Sequence, residues 1–193
     1  SEALGLVHEP LASAGPTRFI HAALEACRLA VPLDGAWHIR VTGGIHIDGQ
    51  KVGLGGSASV VSGVVACWKQ RCDQEGSVPW TQVAIDAHFK ASGSRGSGYD
   101  VATTSTGGVV LYRPSTEEGG VAQITRLQWP DGLHWTAGFC GQGVSTRVLL
   151  AKAKPGDRAP LVAMREGVFR LVEAWTEGIA SNILERLRSL DPL

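Results

Sequence analysis

The run Gly53-Leu54-Gly55-Gly56-Ser57-Ala58-Ser59 constrains this chain more than any other feature, because it lies between a stretch of strand character and an apolar helix face. Upstream, Ile45 and Ile47 alternate with polar neighbours and run into Asp48-Gly49, a dipeptide suited to a tight hairpin turn. The returning arm leads through Lys51 and Val52 to the first glycine. Downstream, Val60, Val61, Val64, Val65 and Trp68 share one helical face that should end near Cys72. A glycine loop that opens a helix has a physical use. Glycines let the backbone approach a ligand closely, and the first N–H groups of the helix lack internal acceptors and carry the positive end of its dipole. A phosphate satisfies such groups. Ser57 adds a hydroxyl of the kind that completes an oxygen shell around Mg²⁺. A bare GxGG serves equally well as a turn that packs helix against strand, and this one matches neither GxxxxGK[ST] nor the dinucleotide fingerprint.

Around this junction, Ile20, Leu24, Cys27 and Val31 predict a helix over 17–31, started by Pro16 and Thr17. Trp37, Ile39 and Val41 alternate as in a strand. Ser77 is read as the N-cap of a helix with Pro79 in its first turn and Trp80, Val83, Ala84 and Ala87 on its packed face. Residues 107–113 and the alternation Leu133, Trp135, Ala137, Phe139 read as strands, with a polar connection over 115–120 between them. A short helix is expected over 145–154. Residues 160–190 carry Leu161, Met164, Val168, Leu171 and Trp175, then Ile179, Ile183 and Leu187, on one stripe: one long helix, or two broken near Gly178. Trp37, Trp68, Trp80, Trp135 and Trp175 are expected in the core, and Trp129 at a domain junction.

Composition narrows the partners. The 193 residues balance 18 basic against 18 acidic side chains, so no overall field draws nucleic acid or an anionic membrane, and the expected partner is a small molecule. Cys27, Cys67, Cys72 and Cys140 have no zinc-site spacing and are read as reduced thiols. No leader opens the chain and no apolar run nears the roughly 20 residues that span a bilayer, so a soluble cytoplasmic protein is expected.

A second motif reads Gly96-Ser97-Gly98-Tyr99-Asp100-Val101-Ala102, followed by Gly107-Gly108 and an apolar strand. An aspartate after a glycine-rich loop is by itself most often an N-cap. A third, Gly141-Gln142-Gly143-Val144-Ser145-Thr146-Arg147, offers an arginine able to form a two-pronged hydrogen bond to a carboxylate or phosphate, or equally a solvated arginine behind a cap. Taken together and in this order, the three motifs resemble those of the GHMP family of small-molecule kinases, across most of 17–190. The glycine run is similar to the family's GLGSSA loop, with Gly56 in place of its first serine and Ser57 at its metal-ligand position.

That resemblance implies an α+β fold: a ribosomal protein S5 domain 2-like N-terminal domain, here 1–130, and a ferredoxin-like C-terminal domain, here 131–193. Both are expected to be partial, because the family's Ala-Pro-Gly-Lys strand and its GAGGGG-like loop are not among these residues. It implies ATP and Mg²⁺ as cofactors, with nucleotide at Gly53, Leu54, Gly55, Gly56, Ser57 and Ala58, metal at Ser57, and Asp100 as the catalytic residue facing the γ-phosphate. Lys51, Ser97, Gly98 and Arg147 are implied at the acceptor. His88 lies near the family's metal-binding acid and is implied as a second metal-site residue, reaching the metal shell through water, although such a histidine more often just packs a helix end. Asp86 is read as solvated, and Arg95 as a surface arginine or a phosphate contact. Lys51 and the wording GSGYDVA look most like the phosphomevalonate kinase branch, which phosphorylates 5-phosphomevalonate in isoprenoid precursor synthesis. Mevalonate kinase is next, and a non-catalytic GHMP-like binding protein is the rival from another class.

Overall fold

The computed structural model describes residues 17–33, 35, 38–42, 46–47, 49–72, 76–93, 96–117, 119–139 and 159–190. The fold is α+β. In chain order it comprises α1 (Arg18–Ala30), β1 (His46–Ile47), β2 (Gln50–Lys51), α2 (Gly56–Cys72), α3 (Trp80–Ser92), α4 (Tyr99–Thr106), β3 (Val109–Arg113), β4 (Gln123–Leu127), α5 (Ala159–Glu177) and α6 (Ala180–Ser189). None of the described helices is long and apolar enough to cross a membrane.

Two compact units divide the chain. The first, up to Thr42 with Gly55–Gly107 and Tyr112–Gln123, is built on α1 to α4. Its core takes small residues where helices approach closely, Ala22 and Ala23 of α1, Ala58 of α2, Ala84 and Ala87 of α3 and Ala102 of α4, and fills the space between them with Leu24, Val61, Ile85, Val101 and Trp68. Burying side chains of that size contributes roughly 1.5–3 kcal/mol each. Trp68 is only 2% exposed, yet its indole N–H is satisfied by the Val31 carbonyl at 3.0 Å, just beyond the end of α1. Cys27 lies wholly buried in this core; burial, with a smaller contribution from Cys72, pushes its thiol up to about 12 and leaves it inert as a nucleophile.

α3 begins at Trp80 with Pro79 as its N-cap, so Ser77 does not cap it. Proline supplies a backbone already turned toward the helix without needing a side-chain bond. At the other end Gly93, left-handed at φ 69, returns its N–H to the carbonyls of Phe89 and Lys90.

The second unit comprises Gly43–Leu54, Gly108–Leu111 and Ile124–Leu193. Its hairpin pairs β1 with β2 antiparallel in the register His46↔Lys51 and Ile47↔Gln50, with Gly49 at φ 75, as the Asp48-Gly49 dipeptide predicts. Leu133, Ala174 and Ile183 form a buried cluster there, packed by Leu171, Trp175 and Ala180. Trp129 meets Trp175 edge to face at 5.7 Å, and the two indole N–H groups donate to the carbonyls of Leu133 and Gln128 at 2.7 Å. Gly178, at φ 73, breaks the C-terminal stretch into α5 and α6.

Several expectations are corrected. Residues 38–42 form no strand: all five are exposed and pair with no strand among the described residues, and alternation defines a face only where a neighbour supplies the ladder. Residues 133–139 likewise are not a strand, and Trp135 is 72% exposed instead of core. The strand that pairs with β3 is β4, inside a stretch with only two apolar side chains, Ile124 and Leu127. Met164 and Val168 are exposed, and among the described side chains of α5 the packed ones, Leu171, Ala174 and Trp175, lie in its C-terminal half. Trp37, Arg95, Cys140, the helix expected over 145–154 and the Ser145-Thr146-Arg147 motif lie outside the described residues.

Candidate active site at the first turns of three helices

The loop before α2 is pinned by backbone bonds. Leu54 N–H donates to the Val52 carbonyl at 2.9 Å, and Ser59 N–H to the Gly55 carbonyl at 2.9 Å, which Ser59 Oγ also meets at 3.2 Å. Gly55 sits at φ 66, a conformation that favours glycine, and open space lies where its Cβ would be. The N–H groups of Gly56, Ser57 and Ala58, in the first turn of α2, have no intrahelical acceptor. Gly53, Leu54, Gly55 and Gly56 are exposed, whereas the Ala58 methyl is buried in the core and anchors that turn from beneath.

From this turn Ser57 Oγ reaches His88 Nε2 at 3.1 Å. The same nitrogen lies 4.0 Å from Asp100 Oδ2. Asp100 is the second residue of α4, and its Oδ1 accepts the Val101 N–H at 2.9 Å. The N-cap of α4 is not Asp100 but Gly98, left-handed at φ 80 and buried. A Cβ at Gly98 would stand 2.8 Å from Tyr112 Oη and 3.2 Å from both Ile85 Cγ2 and Phe89 Cζ. Glycine is thus required there twice, for the turn and for the close approach that sets the start of α4.

The imidazole of His88 has a third neighbour, the ring of Phe19, at 5.2 Å and 31°. Phe19, Ser57 and Asp100 belong to the first turns of α1, α2 and α4. One side chain near the end of α3 therefore touches three helix N-termini, and neither Thr17 before α1 nor Gly98 before α4 makes a side-chain cap bond. Their dipoles bias the region toward negative charge. His88 is only 13% exposed; burial lowers its pKa, opposed in part by the Asp100 carboxylate, so the imidazole is neutral at pH 7.

This arrangement is not the relay of a serine hydrolase. There the histidine holds the serine with one nitrogen and the carboxylate with the other, whereas here Nε2 faces both. What it presents is a hydroxyl and a carboxylate oxygen beside a helix start, a donor set that suits Mg²⁺, which needs only one or two protein oxygens beside phosphate and water. Among the described residues no group of three or more His, Cys, Asp or Glu could hold a metal, so any metal there would depend on ligand oxygens. A cavity of about 320 Å³ lies elsewhere on this unit, lined by Ser59, Ser62, Lys69, Trp80 and Thr104 among others, and includes none of the three clustered residues.

Of the residues expected at the site, Ser57, His88 and Asp100 come together, and Gly98 supports Asp100 from behind. Ser97 is exposed two residues before α4 begins. Lys51 is in β2, paired with His46. Phe19 was not singled out from sequence; it reads there as one more apolar residue of an amphipathic helix. No protein-family model matches the chain, and neither the curated proteins nor the solved structures gave a match.

Proposed function

We propose that this chain carries the GHMP kinase fold and acts as an ATP-dependent kinase, passing the γ-phosphoryl group to the phosphate of 5-phosphomevalonate. The observation that supports it is the meeting of Ser57 and Asp100 on one histidine nitrogen, across 43 residues of sequence, as a shared phosphate and metal site requires. In this reading the exposed glycines and the N–H groups of Gly56, Ser57 and Ala58 cradle the nucleotide phosphates. Ser57 Oγ and an Asp100 oxygen would hold Mg²⁺, which would supply neutralisation of phosphate charge. Asp100 orients the acceptor. His88, neutral and hydrogen-bonded to Ser57, fixes the serine rotamer.

A phosphate acceptor is mostly dianionic at neutral pH, its second pKa being about 6, so it needs no strong base. Positioning and charge neutralisation then carry most of the rate. Asp100→Asn is expected to leave reduced but measurable turnover, well short of the roughly 10²–10⁴-fold loss seen where proton removal is essential. A coupled ADP-release assay with mevalonate, 5-phosphomevalonate, homoserine and galactose tests the assignment. Turnover with 5-phosphomevalonate above the others is expected; preference for another acceptor, or no turnover with any, overturns it.

A further inference from the structure

The Phe19 ring that contacts His88 also carries a cation that the sequence motifs do not include. Arg18 opens α1, and its guanidinium carbon lies 5.0 Å from the centroid of the Phe19 ring. That ring contacts the imidazole of His88. The guanidinium is therefore no farther from the imidazole than those two ring contacts laid end to end.

One nitrogen of that guanidinium is also unsatisfied. Arg18 Nε is buried and has no hydrogen-bond partner, and Arg18 forms no ion pair with any described residue. Asp100, the carboxylate of the cluster, is instead turned to the Val101 N–H and to His88. A partly buried guanidinium N–H without an acceptor costs free energy, of the order of 1–3 kcal/mol for the lost solvation. An aromatic face on one side offsets some of that and fixes the plane of the fork. Such a group is prepared for an oxyanion, because a guanidinium offers parallel N–H donors that match two oxygens of a phosphoryl group.

We propose that Arg18 binds a phosphoryl oxyanion of the ligand held at the His88 cluster. The source of that phosphoryl, nucleotide or acceptor, is the substrate-level question, and it rests on the kinase reading above. The chemistry of the contact does not.

The test uses calorimetric titration of the wild-type chain, Arg18→Gln, Arg18→Lys and the control Arg28→Gln, an exposed arginine in the last turn of the same helix. The probes are inorganic pyrophosphate, Mg-ATP and 5-phosphomevalonate. Loss of one charge-assisted contact should weaken pyrophosphate binding about 10- to 100-fold in Arg18→Gln. Arg18→Lys should keep part of the affinity and Arg28→Gln all of it, with circular dichroism unchanged. A matching loss for Mg-ATP alone, or for 5-phosphomevalonate alone, identifies the source. Unchanged pyrophosphate affinity in Arg18→Gln overturns the assignment, as does a wild-type chain that binds none of the three probes. Pyrophosphate bound through Arg18 without any turnover would sink the kinase reading and leave this one standing; turnover indifferent to Arg18→Gln would do the reverse.

Discussion

Gly98 and Gly93 offer a matched pair for testing how the start of α4 is held. Both are left-handed, at φ 80, ψ −3 and φ 69, ψ 13. Alanine at either pays about 1–2 kcal/mol for that backbone conformation, and both gain similarly from a stiffer unfolded chain. Their surroundings differ. A Cβ at Gly93 meets nothing within 4 Å, whereas at Gly98 it meets Tyr112 Oη at 2.8 Å and two carbons at 3.2 Å. Forced overpacking of this kind adds about 1–3 kcal/mol. Gly98→Ala should therefore destabilise by about 1–4.5 kcal/mol once that gain is subtracted, and exceed Gly93→Ala by the packing part alone. Urea unfolding followed by circular dichroism, compared at equal denaturant dependence, reads this difference directly. Gly98→Ala in a Tyr112→Phe background should recover part of the loss, since the nearest overlap is with the phenol oxygen. If the two glycines prove equally tolerant of alanine, the close approach that sets Asp100 does not exist as described.

Two further outcomes follow from the same unit. The folded-state pKa of His88 lies below 6.5, so beneath that pH the unfolded chain binds more protons than the folded one; stability should fall as pH drops through this window, and His88→Gln should flatten the slope of unfolding midpoint against pH. An identical slope in the variant would contradict the burial of a neutral imidazole. Trp68→Phe should cost about 1–3 kcal/mol, chiefly from leaving the Val31 carbonyl without its donor, and a loss below about 0.5 kcal/mol in urea unfolding would show that bond to be idle.

How much of this was legible in the sequence depends on what each residue needed to be read. Local signals sufficed where the chemistry is local: the Asp48-Gly49 hairpin, the apolar face of α2 and the break at Gly178 follow from turn preference and periodicity. Strands were poorly read, because a strand is defined by its partner. Residues 38–42 alternate without a ladder, while β4 forms from a run with two apolar side chains because β3 is there to pair with it. Ser57 and Asp100 stood out through their glycine loops, and His88 through its place on the helix between them. Phe19 and Arg18 carry no motif at all; only the packing of α1 against α3 brings the Phe19 ring, with Arg18 against it, to His88, and periodicity assigns a residue to a face without saying what faces it. Gly98 was visible as a loop glycine, but the three atoms that exclude a side chain there come from α3 and β3.

The central claim is that nucleotide phosphates sit at the start of α2. Calorimetric titration of Mg-ATP into the wild-type chain and Gly55→Val addresses it most directly, because valine at φ 66 is strained although its Cβ meets no neighbouring atom. Saturable binding by the wild type, lost in Gly55→Val while its circular dichroism spectrum is retained, is the expected result. Equal affinity in both chains, or no binding by the wild type, would contradict it.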